Sequence, residues 1–121
     1  MPFRKLDVYR KAYALSLDVH KLTLRFPKIE QHEVASQLRR SSKSIPVNIA
    51  EGMGRQLSPK DVVRFLRNAM GSCDETRVWL EYARDLEYID GARFDELYDR
   101  YNEVGRMLNG LTQKWTRRSQ L

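Results

Sequence analysis

Four stretches of the chain carry apolar residues at alternating spacings of three and four. This spacing lines the apolar side chains along one face of an α-helix, and no stretch shows the strict alternation typical of a half-buried strand. In the third stretch the series runs Val62, Leu66, Ala69, Cys73, Thr76, Leu80 and Ala83. The pattern predicts four helices, at about residues 6–25, 33–53, 59–86 and 91–115.

Prolines mark several boundaries of the predicted helices. Phe26 ends the first helix, because the residue before a proline is pushed out of helical geometry. Pro59 suits the first position of the third helix, and Ser58 before it is a good capping residue. Pro46 lies inside the second helix. We expect a kink there and not a break, because the apolar series keeps its phase across the proline.

The connections between the predicted helices are short. Helices joined by only a few residues lie side by side and run in opposite directions. A chain of 121 residues is long enough for one domain and too short for two ordinary ones. We therefore predict an all-α fold, an antiparallel up-down-up-down four-helix bundle formed as a single domain by residues 1–121.

The residues needed for several kinds of chemistry are missing from their usual patterns. The two histidines, His20 and His32, belong to no Glu-x-x-His or His-Glu-x-x-His motif, and Cys73 is the single cysteine. Cys73 lies on the apolar face of the third helix, where a small buried hydrophobe is the more common role. We expect no catalytic activity, no metal and no cofactor.

The location of the protein is predicted from three simple features. No stretch approaches 18 uncharged apolar residues, so we expect no transmembrane helix and no membrane partner. The N-terminal residues become polar at once and do not resemble a targeting segment. A single cysteine fits a reducing compartment. We therefore expect a cytoplasmic protein.

The charge of the chain is positive and unevenly distributed. Lysine and arginine total 22 against 16 acids, for a net charge of +6. Bases gather in residues 1–28 and near the second connection, whereas acids gather after residue 73. Such a distribution can attract RNA or DNA, hold subunits together, or form a solvated surface. The bases that we predict as phosphate contacts, without base reading, are Arg39, Arg40, Lys43, Arg55, Arg64, Arg67, Lys114, Arg117 and Arg118.

Polar residues form a stripe on the second helix and another on the third. Antiparallel pairing about the second connection places Ser44 opposite Asn68, and Glu75 beside Gln37 or Arg40. We favour a structural network that fixes the register of the two helices, and the alternative is a ligand pocket. The predicted members of this network are Asn48, Glu51, Asn68, Ser72 and Glu75.

Two motifs resemble a known family. Residues 37–52 read QLRRSSKSIPVNIAEG, and a Gly-Ser-x-x-Glu motif follows at residues 71–75. Together they resemble the four-helix-bundle proteins that are encoded by intervening sequences in bacterial 23S ribosomal RNA genes. The resemblance extends from Phe3 to about Leu108, which is almost the whole chain.

The resemblance implies a bundle that assembles into a ring-shaped homo-oligomer, typically a pentamer, with no established enzymatic activity. The family is similar to the accessory variability proteins of diversity-generating retroelements, which are basic pentamers that contact a reverse transcriptase and nucleic acid. The residues themselves favour subunit contacts without giving a number. The first helix has two apolar stripes, and the third carries Phe65, Trp79 and Leu86 beside its main series.

Three functions therefore remain open. The first is a non-catalytic homo-oligomeric scaffold that binds nucleic acid without sequence preference. The second is a protein-interaction hub or structural oligomer with no nucleic-acid role, which requires an exposed apolar groove. The third is an RNA hydrolase, which requires His20 or His32 beside a basic cleft.

Overall fold

The computed structural model describes all 121 residues and contains four α-helices and no strand. The helices are α1 (Asp7–Thr23), α2 (Val34–Met53), α3 (Pro59–Asp85) and α4 (Gly91–Ser119). Short 3₁₀ turns precede α1 at Phe3–Lys5 and lie in the α1–α2 connection at Lys28–Glu30. All four predicted helices are present, and α4 continues one turn beyond its predicted end. The all-α fold class is confirmed.

Each helix buries the face that the residue spacing predicts. All seven members of the apolar series on α3 are buried. The fully buried larger side chains include one leucine from each helix, namely Leu15, Leu38, Leu66 and Leu108. Burying a leucine contributes about 1.5–3 kcal/mol relative to leaving it exposed. One continuous core between the four helices therefore sets their packing.

Contacts across the helix pairs show that neighbouring helices run antiparallel. On α3 and α4, Met70 contacts Thr112, with 3.5 Å between sulfur and oxygen. Further along α3, Glu81 accepts a hydrogen bond from Tyr98 at 3.2 Å. The number of the partner on α4 falls as the number on α3 rises. The contacts between α1 and α2 and between α2 and α3 follow the same rule.

The end of α2 packs closely against the first part of α3. Helix α2 passes through Pro46 without a break. A β-carbon on Gly52 would lie 3.1 Å from Cβ of Phe65, so only glycine allows this approach without a shift. Helix α3 begins at Pro59 as predicted, but the expected side-chain cap at Ser58 is wrong. The Ser58 carbonyl oxygen accepts the first free N–H groups instead, at 2.9 and 3.1 Å.

Candidate nucleic-acid interface

Three separate segments of the chain meet at one end of the bundle. The amino group of Met1 donates to Oε1 of Gln56 at 3.0 Å, and Nε2 of Gln56 donates back to the Met1 carbonyl at 2.7 Å. Lys114, near the end of α4, lines a cleft with Leu6 and Val8 at the start of α1. The antiparallel topology thus joins residues 1–11, 54–67 and 106–121 into one surface, which we call the basic end.

The basic end concentrates positive charge far beyond the average of the chain. Its acids are Asp7 and Asp61 alone. Its twelve bases are Arg4, Lys5, Arg10, Lys11, Arg55, Lys60, Arg64, Arg67, Arg106, Lys114, Arg117 and Arg118. A surface of this kind attracts polyanions and raises their local concentration.

Aromatic rings hold several of these guanidinium groups in place. Arg55 and Arg64 both lie over the ring of Phe65, with 4.9 and 4.6 Å between the guanidinium carbon and the ring centroid. Arg118 lies over Trp115 at 4.5 Å in the same way. A stacked guanidinium keeps N–H groups at its edge that can donate to phosphate oxygens. Stacking also reduces the rotamer freedom that binding would remove.

Acids neutralise few of the bases at this end. Arg64 pairs with Asp61 at 3.6 Å, Arg10 pairs with Asp7, and Lys11 donates to Glu103 at 2.7 Å. The hydrogen bond from Lys11 holds the pKa of Glu103 below its ordinary value. The nine bases of the basic end that make no ion pair are Arg4, Lys5, Arg55, Lys60, Arg67, Arg106, Lys114, Arg117 and Arg118.

The chain matches a described family over most of its length. The family model of the 23S rRNA-intervening sequence protein matches residues 4–110. The chain belongs to this family. It is also similar in structure to a crystallised protein of unknown function from the S23 ribosomal protein family of Bacteroides thetaiotaomicron, with a TM-score of 0.80 and 26% sequence identity. The alignment covers 93% of this chain and 99% of that one. No curated protein matches the chain.

In this member of the 23S rRNA-intervening sequence protein family, the two motifs form the seam between α2 and α3. Oγ of Ser44 and Oγ of Ser72 are 2.8 Å apart, and Nδ2 of Asn48 donates to Ser44 at 3.0 Å. Thr76 donates to Ser41 at 2.9 Å in the buried part of the seam. Small hydroxyl side chains let the helices approach while satisfying their polar groups. The motifs that carry the resemblance are thus used for packing.

The seam contains only part of the predicted polar network. Ser72 and Asn48 take part, whereas Glu51 and Asn68 are exposed and make no side-chain hydrogen bond or ion pair. Glu75 accepts from Nε1 of Trp79 at 3.1 Å. Ser44 meets Ser72 where the sequence predicted Asn68, one helical turn away. The shift arises because the first turn of α3 projects beyond the end of α2, as the Gly52–Phe65 approach shows.

Arg39 has a structural role that its sequence position did not reveal. Its Nη1 donates to Oγ1 of Thr23 at 3.0 Å and to Oε1 of Gln31 at 3.2 Å, and its Nη2 donates to the Gln31 carbonyl at 2.9 Å. The side chain is half-buried and joins α2 to the α1–α2 connection, at the end opposite the basic end. This placement removes Arg39 from the candidate interface.

Two further predicted contacts also lie away from the basic end. Arg40 is exposed and borders a polar cleft with Gln37 and Glu75. Lys43 contacts Nδ1 of His20 at 2.9 Å. His20 lies in the last turn of α1, toward the end opposite the basic end. The structure therefore brings together six of the nine predicted bases, which are Arg55, Arg64, Arg67, Lys114, Arg117 and Arg118.

The bases that sequence reasoning missed lie near the two ends of the chain. Arg4, Lys5, Arg10, Lys11 and Arg106 belong to the basic end but were not among the predicted contacts. Antiparallel topology alone could have found them, because an even number of helices returns the C-terminal segment to the N-terminal end. Clusters of bases along the sequence do not show that the N-terminal and C-terminal segments lie together.

The structure places the cysteine and the two histidines in no recognised reactive arrangement. Cys73 is buried and donates to the Tyr101 carbonyl at 3.4 Å, and burial raises its pKa to about 11. His20 and His32 both lie outside the basic end. No group of three or more histidine, cysteine or acidic residues could hold a metal ion. None of the helices combines the length and apolar character that crossing a membrane requires.

Proposed function

We propose that this protein is a non-catalytic homo-oligomeric scaffold that binds RNA or DNA through phosphate contacts at its basic end. The observation that carries the proposal is the meeting of twelve bases and two acids from three separate segments. Bases that neutralise phosphates release condensed counterions, and that release drives binding that is independent of sequence. Such contacts position a nucleic acid without reading its bases. The proposed location is the cytoplasm.

Unpaired and stacked bases favour this role over a purely structural use of the charge. A base that is already neutralised by an acid must give up that partner before it contacts a phosphate. Arg55 and Arg118 make no ion pair and are held over aromatic rings. They can therefore meet phosphates at a small conformational cost.

Exposed apolar side chains on two different faces support self-association. Between α1 and α2, Tyr13, Leu17 and Val47 are 49, 43 and 55% exposed around a cleft of about 390 Å³. On the outer face of α3, Tyr82 and Leu86 are about half exposed. Two unlike faces that contact each other repeat head to tail, and the repeat closes into a ring when the rotation between subunits allows it. A ring of five is the assembly that the family resemblance implies.

The charges beside these faces fit the same contact. Lys43 borders the α1–α2 cleft, whereas Glu81 and Asp85 lie on α3 beside Tyr82 and Leu86. Opposite charges at the rims of two apolar faces favour one register of docking. The basic end lies away from the α3 face. Phe3 and Tyr9 at its edge line the α1–α2 cleft, but none of its twelve bases does, so the bases stay open in this arrangement.

A protein-interaction module is the second candidate function. The observation that favours it is the same apolar α1–α2 cleft, which a helix of a different protein could fill. Binding of that kind would depend on apolar contacts and would persist at high salt. It differs in this respect from binding through phosphates.

The test is a titration with short single-stranded and double-stranded RNA and DNA at two salt concentrations, while the mass of the protein species is recorded. We expect micromolar binding that falls steeply with salt, by an oligomer. An intact oligomer that binds no nucleic acid at low salt would contradict the proposal. The positive charge would then belong to subunit contacts, and the protein-interaction function would gain.

A further inference from the structure

A polar groove between α3 and α4 leads into the basic end. It consists of two cavities of about 290 and 370 Å³. Met70 and Asn109 line both cavities, so the two adjoin. Met70 is the only hydrophobic residue among those that line them. The groove is therefore a hydrated polar surface. It offers little apolar area on which a protein partner could dock.

Carboxamide and guanidinium groups line this groove. Asn102, Asn109 and Gln113 project from α4, where they are separated by seven and four residues. Arg67 and Arg117 lie at the basic end of the groove, and Arg106 lies further in. Arg106 and Arg117 are eleven residues apart, which is about 17 Å along a helix.

A glycine opens the inner part of the groove. A β-carbon on Gly105 would lie 3.5 Å from Nη1 of Arg77 and 3.8 Å from Sγ of Cys73. Arg77 donates to Oδ1 of Asn102 at 2.9 Å and pairs with Asp74, which is the only acid lining the groove. Asp74 is thus neutralised, and the three other arginines of the groove make no ion pair.

We propose that the α3–α4 groove binds a short unpaired strand of nucleic acid. The inference rests on the proposed nucleic-acid function and adds a single-strand site that shares Arg67, Arg106 and Arg117 with the basic end. Arginines contact the phosphates, and carboxamides can donate to and accept from the exposed edges of unpaired bases. Neighbouring helices lie only about 8–10 Å apart, so a groove between them admits one strand and excludes a duplex. Its length suits roughly three to five nucleotides.

The test compares two glycine substitutions on the same helix. Gly105→Gln fills the groove without changing charge, whereas Gly91→Gln places the same side chain where no atom lies within 4 Å. Gly91 is the first residue of α4 and lies at the end opposite the basic end. Each variant and the wild type are titrated at low salt with an unstructured oligonucleotide and with a duplex of the same length, in RNA and DNA forms.

We expect Gly105→Gln to weaken binding of the unpaired strand at least about tenfold and to leave duplex binding within about twofold. Gly91→Gln should bind both as the wild type does. Asn109→Leu, on the exposed rim of the groove, tests the same site without filling it and should reduce single-strand binding several-fold. Circular dichroism establishes that each variant is folded.

The outcomes separate this inference from the proposed function. Unchanged single-strand binding by both Gly105→Gln and Asn109→Leu overturns the groove while duplex binding at the basic end stands. An equal loss of duplex and single-strand binding in Gly105→Gln also overturns it, because the groove would then have no separate ligand. A wild type that binds neither oligonucleotide overturns both proposals.

Discussion

The two ends of the bundle use arginine in different ways. At the end where α3 turns into α4, residues 81–99 contain seven acids and two bases. Both bases are paired there: Arg84 with Asp85 at 2.8 Å and Arg93 with Glu96 at 3.0 Å. At the basic end, Arg55 and Arg117 have no acidic partner. The arginines of the α3–α4 connection are thus neutralised, whereas Arg55 and Arg117 at the basic end are left available.

This difference teaches that the total charge of the chain is a poor guide to its function. A net charge of +6 is ordinary for a small soluble protein. Folding separates that charge into a strongly basic end and an acidic α3–α4 connection, and only the folded arrangement creates a surface that a polyanion would recognise. A comparison of matched substitutions at different places in the bundle can test whether the separation matters.

The largest expected effect comes from reversing charge at the basic end. Arg55→Glu combined with Arg64→Glu should weaken nucleic-acid binding about 100-fold, since each charge-assisted contact is worth about 1.5 kcal/mol. The slope of log K against log salt should fall by about 2. The binding constant measured over a range of salt checks both numbers.

The matched control for that experiment is Arg25→Glu combined with Lys28→Glu. Both residues are exposed, make no ion pair and lie at the opposite end, in the α1–α2 connection. The change in net charge is the same, so long-range attraction falls equally. An equal loss of binding in both double variants would contradict a special role for the basic end. Binding would then depend on the net charge of the whole protein.

The next effect concerns Arg39, an arginine that lies outside the basic end. Arg39→Ala removes three hydrogen bonds and leaves Thr23 and Gln31 without their partner, so it should lower the free energy of unfolding by about 1–3 kcal/mol. The neighbouring Arg40→Ala removes an exposed side chain and should change it by less than about 0.5 kcal/mol. Urea denaturation measures both. If the folded Arg39→Ala protein bound nucleic acid more weakly than the wild type, Arg39 would belong to the interface.

A smaller effect separates packing from charge near the basic end. Gly52→Ala places a methyl group 3.1 Å from Cβ of Phe65 and should destabilise the protein by about 1 kcal/mol. Gly110→Ala meets no atom within 4 Å and should stabilise it by about 0.5–1 kcal/mol through helix propensity. Thermal unfolding compares the two. Stabilisation by both changes would mean that the α2–α3 approach is looser than the structure shows.

The smallest effect is the pH dependence of one ion pair at the basic end. The hydrogen bond from Lys11 lowers the pKa of Glu103 from its ordinary 4.5. The stability that this pair contributes is therefore present above pH 4.5 and is lost as the pH falls through the lowered value. Glu103→Gln should lower Tm slightly at neutral pH and not at all in strong acid. A difference that persists in acid would show that Glu103 acts through packing and not through charge.

The helices were predictable because the spacing of apolar residues directly indicates which face of each helix is buried. The series on α3 gave all of its buried residues except Val63 and Phe65, and Pro59 gave its first residue. The register between α2 and α3 was not predictable, since it depends on how far α3 projects past Gly52. A one-turn error of this kind replaces Ser72 with Asn68 as the partner of Ser44.

The candidate interface was harder to predict than the fold. Arg39 and Arg40 are adjacent in sequence, yet one is a half-buried brace and the other is exposed. The difference depends on where Thr23 and Gln31 lie in space. The groove around Gly105 was likewise invisible, because its residues are spread over two helices and form no motif.

Lysine acetylation in the presence and absence of nucleic acid tests the central claim most directly. Lys60 and Lys114 are exposed at the basic end, and Lys21 and Lys28 are exposed near the opposite end. We predict that a short duplex at low salt, added to the assembled protein, protects Lys60 and Lys114 and leaves Lys21 and Lys28 reactive. Protection of Lys21 and Lys28 instead, or equal protection of all four lysines, would contradict binding at the basic end.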